Sequence, residues 1–206
     1  MRPIVLILGP TAGGKTSLAI SLAQQLTSGG ECICADSMQV YRGMDIGTAK
    51  PTEQEQASAP HHLLNIADPS QDGFTVDEWL TRAQTTIKDI QNKTKWPIVV
   101  GGTNLYIQSL LFGMFDGPKG DPDIRATLDS ISSEELHKRL QTLDQESASR
   151  IHVNDRRRMV RAIEVFEITG EPLSQLQSQW EQEAPINDAI VIGLTWEVEA
   201  INRRIN

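Results

Sequence analysis

The stretch that decides the fold is IVLILGPTAGGKT, residues Ile4–Thr16. It opens with five consecutive apolar residues, which is typical of a parallel strand covered on both faces. The segment that follows, Gly9–Thr16, fits the pattern G-x-x-x-x-G-K-T, whose backbone N–H groups cradle phosphates. Apolar residues then recur at helical spacing from Leu18 to Leu26. The sequence therefore predicts a strand, a phosphate loop and a helix, with Ile4–Leu8 as the first and central strand.

The loop supplies the candidate diphosphate-binding or nucleotide-binding residues. Lys15 is expected to neutralise phosphate charge, and the Thr16 hydroxyl can hold Mg²⁺. A nucleotide hydrolase also carries a carboxylate after a second apolar strand, and Asp36 occupies such a position. The predicted strand Ile98–Val100 is followed by Gly-Gly-Thr, so a hydrolase would rest on Asp36 alone. The loop candidates are Gly9, Pro10, Thr11, Ala12, Gly13, Gly14, Lys15 and Thr16.

Composition narrows the class of protein. The chain has 206 residues, 39% hydrophobic and 22% charged, which suffices for one core of ordinary domain size with a small appendage. Lys and Arg number 19 against 27 Asp and Glu, and the net charge of −8 excludes a uniformly basic coat for nucleic acid. The apolar runs are too short for a membrane span or a secretory signal. We therefore expect a folded, cytoplasmic protein with no membrane partner.

The cysteines, histidines and tryptophans suggest structural roles. Cys32 and Cys34 lie two apart in an apolar run, so a strand would place both on one face as buried, reduced thiols rather than in a disulfide or zinc site. No third ligand is spaced to complete a metal site with the pair His61–His62. Core packing is expected for the tryptophans, which are Trp79, Trp96, Trp180 and Trp196.

The next part of the chain continues the alternation of strands and helices. The polar stretch Asp36–Pro51 shows neither the helical nor the strand period of apolar residues, which indicates a long functional loop. A capping box at Thr75 predicts a helix that ends near Asn92. The strand Pro97–Val100 follows, and then a helix that ends near Gly113.

Two changes of pattern divide the chain. From Asp116 to about Pro185 the apolar runs give way to charged helices, and the run Ala189–Leu194 then restores a buried strand pattern. We therefore expect an α/β protein with a P-loop NTPase-like parallel sheet flanked by helices and an inserted small all-helical domain. The expected catalytic core is 1–115 with 187–206, and the expected insertion is 116–186.

Several motifs in the right order resemble the tRNA dimethylallyltransferase (IPP transferase) family. They are GPTAGGKT at Gly9–Thr16, ADSMQVYR at Ala35–Arg42, DIGTAKP at Asp45–Pro51 and VGGTNLY at Val100–Tyr106. PHHLL at Pro60–Leu64 and NDRRR at Asn154–Arg158 extend the resemblance over essentially the whole chain.

The resemblance implies a reaction and its partners. Family members transfer a dimethylallyl group from dimethylallyl diphosphate to N6 of the adenosine 3′-adjacent to the anticodon, position 37, in tRNAs that read codons beginning with U. The implied partners are the tRNA anticodon stem-loop and dimethylallyl diphosphate, and the implied cofactor is Mg²⁺. An allylic diphosphate needs its leaving group stabilised as charge develops, which Lys15, Thr16 and Mg²⁺ can supply. The loop would then serve diphosphate departure rather than ATP hydrolysis.

Asp36 is the candidate general base. The exocyclic amine of adenine is a weak nucleophile, so a carboxylate placed on N6–H assists its attack. A helix cap or a magnesium ligand is the alternative role for Asp36. By resemblance, Asp36, Ser37, Met38 and Gln39 line a pocket for the flipped adenosine. Thr103 is expected to hydrogen-bond in the same channel, and the implied catalytic residues are Asp36, Lys15, Thr16 and Thr103.

A local basic segment meets the need of an RNA partner. Arg150–Arg161 holds five Arg against one Asp, a local charge of +4 in an acidic chain. If a helix begins after Asn154, Arg157 and Arg161 lie away from its apolar face and are free to contact RNA. A solvated charged face is the alternative. The resemblance implies tRNA contacts at Arg157, Arg158, Met159, Val160 and Arg161. It also implies a tRNA contact at Arg125, which could equally reach the diphosphate.

Three other functions stay open at this point. They are a transferase that prenylates free adenine nucleotide to make a cytokinin, a P-loop small-molecule kinase, and an inactive RNA-binding fragment. The Arg-rich segment favours RNA over a free nucleotide. By the same resemblance, Ile201–Asn206 begins a helix that continues into a further C-terminal segment in relatives, and a monomer is expected.

Overall fold

The structure is a computed structural model that describes residues 1–71, 73–113, 117–177 and 188–205. The chain divides into two compact units, one of Met1–Leu111 with Pro185–Asn206 and the other of Phe112–Ala184. The expected domain boundaries at 115/116 and 186/187 lie outside the described residues.

A parallel sheet forms the centre of the first unit. Its described strands are β1 Ile4–Leu8, β2 Gly30–Cys34, β3 His61–His62, β4 Trp96–Gly101 and β5 Ala189–Gly193. All strand pairs are parallel and the order is β3-β2-β4-β1-β5. The predicted parallel α/β sheet is confirmed, but the central position predicted for β1 is wrong. The middle place belongs to β4, which pairs with both β1 and β2.

The last strand differs from its sequence prediction in burial. β5 pairs with β1 and lies at an edge of the described sheet. Its side chains Ile190 and Val191 are 46% and 55% exposed, so the predicted buried strand is a strand with exposed faces. A continuous apolar run predicts a strand whose two faces are both covered by other elements. Those elements come from other parts of the chain, so the run alone does not show how far they bury the strand.

Helices flank the sheet at the places that local signals predict. At α3 the Thr75 hydroxyl accepts from the Glu78 N–H, and the Glu78 carboxylate accepts from the Thr75 N–H, which confirms the predicted capping box. The same reciprocal pair at Thr52 and Glu55 begins α2, a helix that was not predicted. The described helices of this unit are α1 Lys15–Gln25, α2 Glu53–Ser58, α3 Val76–Asn92, α4 Asn104–Phe112 and, later in the chain, α10 Val198–Ile205.

The core of this unit packs α1 against the sheet. Ala19 and Ala23 on α1 meet Val5, Cys32 and Ile98 on three strands. Both cysteines are buried and free, as predicted, and burial raises the pKa of each thiol to about 12. Trp79 is fully buried as expected, whereas Trp196 is 42% exposed, so core packing is wrong for it. Trp180 lies outside the described residues.

A buried carboxylate links β2 to β3. Glu31 accepts from His62 Nε2 at 2.7 Å and from Lys95 Nζ at 2.8 Å. Burial opposes its ionisation, but these hydrogen bonds outweigh burial and hold the Glu31 pKa below its usual range. His61 Nδ1 lies 2.8 Å from the Ala59 carbonyl oxygen. Both histidines thus take structural partners, and the described part of the chain holds no cluster of three or more His, Cys, Asp or Glu placed for a metal ion.

The described residues of the second unit form helices and connecting loops, with no strand among them. Its helices are α5 Pro122–Asp129, α6 Ser133–Leu143, α7 Gln145–Arg150, α8 Arg156–Thr169 and α9 Leu173–Gln177. Fully buried side chains from three of them, Leu128, Leu140 and Ile163, meet in one core. None of the helices described in either unit is both long and apolar enough to cross a membrane.

Asp144 joins two short helices of this unit. Its carboxylate accepts from the N–H and hydroxyl of Ser147, at 2.9 and 2.6 Å, and from those of Ser174, also at 2.9 and 2.6 Å. The hydrogen bonds outweigh burial and lower the Asp144 pKa. This side chain therefore caps α7 and ties α9 to it.

Gly101 offers a sharp test of this fold. A Cβ at this position would collide with the Ala35 carbonyl, whereas a Cβ at Gly193, which ends β5, would meet no atom of the described residues within 4 Å. We expect Gly101→Ala to destabilise the protein by about 3 kcal/mol, because the backbones of β2 and β4 must move apart. Urea denaturation followed by circular dichroism measures this loss, with Gly193→Ala as the matched control. Equal midpoints for the two variants would contradict the close approach.

Candidate functional site

The glycine loop Gly9–Thr16 joins β1 to α1 and leaves backbone donors available. Gly14 precedes the helix with φ +86°, in the left-handed region that favours glycine, and no side chain caps the helix at that point. Among the residues that the structure describes, no side chain therefore accepts from the first-turn N–H groups of α1. A helix start of this kind attracts anions, because unpaired N–H groups and the helix dipole act together.

Lys15 lies inside this loop. Its Nζ donates to the Gly9 carbonyl at 3.0 Å and to the Pro10 carbonyl at 2.8 Å. Burial lowers the Lys15 pKa, and the nearby Asp36 carboxylate opposes that shift. The loop thus places one ammonium group at the start of α1, with a carboxylate close by.

Asp36 follows β2 and is held through one of its two carboxylate oxygens. Oδ1 accepts from the Met38 N–H at 2.9 Å and from the Gln39 N–H at 3.3 Å. Oδ2 makes no hydrogen bond to any residue in the described ranges. Because the backbone fixes the carboxylate through Oδ1, Oδ2 remains available to accept a proton from a bound molecule.

Thr103 joins the ends of β2 and β4. Its hydroxyl accepts from the Ser37 N–H at 2.9 Å and lies 3.3 Å from the Ser37 hydroxyl oxygen, while its own N–H donates to the Ala35 carbonyl at 3.3 Å. A Cβ at the neighbouring Gly102 would lie 4.0 Å from Lys15 Nζ. The carboxyl ends of the two strands therefore meet beside the glycine loop, the usual place for ligands in a parallel sheet.

Gln39 ties the predicted loop Asp36–Pro51 to this place. Its Nε2 donates to the carbonyls of Thr48 and Ala49, at 2.9 and 3.2 Å. The segment has neither helix nor strand, as predicted, and carries one isolated bridge from Tyr41 to Ala67. The side chain of Gln39 thus closes the loop on itself at the edge of the site.

A pocket of about 240 Å³ lies against the glycine loop. It brings together the predicted residues 11–16, Asp36 and Gln39. Thr48, Ala49, Glu55 and Arg204 line it as well, and no role was predicted for them. Thr48 and Ala49 belong to the quoted motif DIGTAKP, a signal that could have identified them, whereas nothing in the sequence near Arg204 indicates the pocket. Met38, also predicted here, is 46% exposed.

Buried aromatic rings support the end of β2. Trp79 Nε1 donates to the Cys34 carbonyl at 2.8 Å, and the Trp79 ring stacks on Tyr106 with centroids 4.4 Å apart. Burial raises the Tyr106 pKa to about 12, so this phenol stays neutral. The rings hold the strand end from which Asp36 projects.

The predicted tRNA-binding residues Arg125 and Arg157–Arg161 lie in the second unit, on α5 and α8. The others, Asp36–Gln39 and Thr103, lie in the first unit, at the strand ends described above. Asp155 caps α8 by accepting from the Arg158 N–H, and the Arg158 side chain is 75% exposed. Arg157 is exposed and makes no hydrogen bond or ion pair with the residues that the structure describes. Met159 and Val160, at 0% and 8% exposure, point into the helical core, so their side chains are not available to RNA.

Arg125 and Arg161 both bind the buried carboxylate of Glu164. Glu164 is fully buried and accepts from Arg125 Nε at 2.7 Å, from Arg161 at 2.7 Å and from the Asp121 N–H at 2.8 Å. Arg161 also donates to the Pro118 carbonyl at 2.8 Å. The expectation that the Arg161 side chain is free for RNA is therefore wrong, because the carboxylate three residues later binds it. Arg125, although about half exposed, is bound by both Glu164 oxygens.

The parallel sheet and its glycine loop define a P-loop NTPase-like α/β protein. Comparison with known proteins gives the family. The family model described as IPP transferase matches residues 39–206, so this chain belongs to the IPP transferase family.

Relatives and solved structures agree with this assignment. The tRNA dimethylallyltransferase of Bacillus subtilis (strain 168) is 43% identical over 100% of this chain and 66% of its own length. The tRNA dimethylallyltransferase 1 of Citrifermentans bemidjiense is 44% identical over 98% of this chain and 65% of its own length. This chain therefore spans just under two thirds of these curated relatives.

Two crystal structures extend the comparison. The tRNA delta(2)-isopentenylpyrophosphate transferase of Staphylococcus epidermidis is 38% identical, with a TM-score of 0.60 over 98% of this chain and 68% of that one. A eukaryotic dimethylallyltransferase described as acting on tRNA is 30% identical, with a TM-score of 0.80 over 99% of this chain and 51% of that one.

The Glu164 cluster predicts a pH dependence of stability. Burial is outweighed by the bonds from Arg125 and Arg161, so the folded-state Glu164 pKa lies below its ordinary value of 4.5. A lowered carboxyl pKa stabilises the fold above that value, and the stabilisation is lost as the pH falls through the folded-state pKa. We expect Glu164→Gln to cost about 3 kcal/mol at pH 7 and to flatten the loss of stability on acidification.

Chemical denaturation between pH 3 and 7, followed by circular dichroism, checks this expectation. The matched control is Glu167→Gln. Glu167 lies on the same helix as Glu164 and pairs with Arg139 of α6, so this change breaks a more exposed ion pair. A Glu164→Gln variant as stable as this control at pH 7 would show that the buried cluster does not hold the unit together.

Proposed function

We propose that the protein transfers a dimethylallyl group from dimethylallyl diphosphate to N6 of an adenosine in tRNA. The observation that carries the proposal is the pocket where the glycine loop, with Lys15, meets Asp36 at the carboxyl end of β2. Family membership supports the reaction, because the relatives named above are tRNA dimethylallyltransferases. In line with the resemblance, the proposed target is adenosine 37 in tRNAs that read codons beginning with U.

The proposed reaction is a substitution at the first carbon of the dimethylallyl group. The N6 nitrogen forms the new C–N bond, the C–O bond to the diphosphate breaks, and the diphosphate leaves with the electron pair. The N6 proton passes to the Asp36 carboxylate. The Lys15 ammonium group and the unpaired N–H groups at the start of α1 would stabilise the charge that develops on the leaving group.

Thr16 fits a role in holding Mg²⁺. Its side chain lines the pocket, and its hydroxyl makes no hydrogen bond to the described part of the chain. Magnesium in phosphate sites takes one or two protein oxygens and completes its coordination with phosphate and water, so one hydroxyl suffices on the protein side. When bound, the ion supplies charge neutralisation for the departing diphosphate.

The geometry of Asp36 favours the general base over the helix cap. Backbone N–H groups hold Oδ1, while Oδ2 has no partner among the described residues. No helix of eight or more residues begins after Asp36 in that segment. A general base must also be held in place, and the hydrogen bond from the Ser37 N–H to the Thr103 hydroxyl immobilises the backbone next to Asp36.

Exposed arginines on α8 are the proposed tRNA contacts of the second unit. Arg157 and Arg158 lie exposed on the first turn of the helix, where Arg158 also pairs with the Asp155 carboxylate at 3.4 Å. Arg156 instead donates to the carbonyls of Leu128 and Ile131, at 2.8 and 2.7 Å. Arg157 and Arg158 thus keep the role of phosphate contacts, whereas Arg161 and Arg125 would act through the shape of the unit.

Substitution of Asp36 tests the base. We expect Asp36→Asn to lower the rate of transfer to tRNA by about a hundredfold or more and to change tRNA affinity little, because proton removal occurs only in the transition state. Single-turnover transfer from radiolabelled dimethylallyl diphosphate gives the rate, and filter binding gives the affinity. Asp89→Asn, on the exposed face of α3, is the matched control. Equal losses of rate and affinity would reject the base and leave only a binding role.

The salt dependence of binding tests the arginines. We expect the double variant Arg157→Ala, Arg158→Ala to weaken tRNA binding and to reduce the slope of log affinity against log salt by about two. Fluorescence anisotropy over a salt series measures the slope. Arg139→Ala is the control, because Arg139 pairs with Glu167 in the same unit. A slope unchanged from that of the native chain would show that the two arginines face away from tRNA.

A further inference from the structure

Two side chains that follow β5 bind the carbonyls of the glycine loop. Trp196 Nε1 donates to the Gly13 carbonyl at 3.1 Å, and Arg204 Nε donates to the Ala12 carbonyl at 2.8 Å. The Arg204 guanidinium lies over the Trp196 ring, 4.8 Å from its centroid. The segment after β5 therefore contacts adjacent peptide groups of the loop with two mutually stacked side chains.

The bond from Trp196 fixes the direction of a loop N–H group. In a trans peptide the carbonyl and the following N–H point in opposite directions. The Gly14 N–H is therefore directed away from Trp196, and it has no hydrogen-bond partner within the residues that the structure describes. Gly14 lines the pocket, so this N–H is a donor held ready for an anion.

The bond from Arg204 acts on the strained residue of the loop. Ala12 has φ +59°, a left-handed conformation that costs an L-residue about 1 kcal/mol. Such a conformation persists only when its surroundings hold it in place. Arg204 bonds the carbonyl of this residue, and the next N–H, that of Gly13, donates back to the Pro10 carbonyl at 3.1 Å.

We infer that Trp196 and Arg204 are positioning residues, which hold the glycine loop in the conformation that presents its N–H groups to the diphosphate of the prenyl donor. The inference rests on the proposed function, since it takes the loop as the diphosphate site. Trp196 and Arg204 both donate to backbone carbonyls of the loop, and the Arg204 side chain also lines the pocket. Their removal lets the peptide groups of the loop rotate, so that the donors are no longer fixed before the ligand binds.

Binding of inorganic diphosphate to the 206-residue chain tests the inference. Isothermal titration calorimetry with Mg²⁺ present compares the native chain with Trp196→Phe, which keeps an aromatic ring but removes the donor, and with Arg204→Gln. Each variant is expected to weaken the affinity by about five- to tenfold, the effect of one lost hydrogen bond.

The chain offers a matched control for each variant. Trp96 Nε1 also donates to a carbonyl, that of Thr27 at 3.2 Å, and Arg2 lies over its ring at 5.0 Å, so Trp96→Phe removes the same kind of contact elsewhere. Arg203, next to Arg204 on α10, donates to the Glu199 carbonyl at 3.3 Å in its own helix, so Arg203→Gln removes the same charge. Both controls are expected to keep the native affinity.

Hydrogen–deuterium exchange separates positioning from a general loss of stability. Exchange in a peptide that covers Gly9–Thr16 is expected to rise in Trp196→Phe and Arg204→Gln while the strands β2 and β4 keep native protection. The controls are expected to leave the loop unchanged. Native affinity and native exchange in both variants would overturn the inference, as would a rise in exchange spread evenly over the sheet.

Lys15→Ala distinguishes a failure of this inference from a failure of the proposed function. If the native chain fails to bind diphosphate, or if Lys15→Ala binds it equally well, the loop is not the diphosphate site, and both fail. If Lys15→Ala abolishes binding while Trp196→Phe and Arg204→Gln bind as the native chain does, the proposed function stands and the positioning role alone is rejected.

Discussion

The close approach of Gly101 to the backbone of Ala35 is the constraint on which the site depends. Without a side chain between them, the ends of β2 and β4 lie close enough for the Thr103 N–H to reach the Ala35 carbonyl, and for the Thr103 hydroxyl to accept from Ser37. The Asp36 carboxylate, which the Met38 and Gln39 N–H groups hold, follows β2 at this place and lies beside the glycine loop. The Asp36 carboxylate and the glycine loop thus line one pocket, which is the arrangement that the proposed transfer from a diphosphate requires.

The two units use their charges in different ways. In the first unit Lys15 is partly buried near Asp36 and lines a pocket, where its charge is available to an anion. In the second unit Arg125 and Arg161 form ion pairs with the buried Glu164. An arginine in a basic segment can therefore be a structural partner, and only those that remain in solvent, such as Arg157, are suited to phosphate contacts.

Much of the fold follows from local signals in the sequence. The apolar run before the glycine loop predicts β1, and Thr75 with Glu78 predicts the start of α3 because a capping box is a short-range interaction. The rank of β1 in the sheet and the exposure of β5 were predicted wrongly, because strand order and cover depend on contacts between distant parts of the chain. The capping box of Thr52 and Glu55 is a local signal of the same kind and marks the start of α2.

The residues of the site likewise divide into those that local motifs reveal and those that depend on distant contacts. The loop, Asp36 and Thr103 belong to motifs that can be recognised in the sequence, and the structure brings them together. Arg161 was misjudged because Glu164 reads as an ordinary polar helix residue until its burial is known. Arg204 and Trp196 lie 192 and 183 residues along the chain from the loop carbonyls that they bind, so no local pattern reveals them.

The most direct test of the account is the chemical identity of the product. The 206-residue chain is incubated with Mg²⁺, dimethylallyl diphosphate and unmodified tRNA, and digests of the RNA are analysed by mass spectrometry, with AMP as the alternative acceptor. We expect dimethylallyl-adenosine at the position 3′-adjacent to the anticodon and no product on AMP. Product on AMP, or no prenylated adenosine on either acceptor, would contradict it.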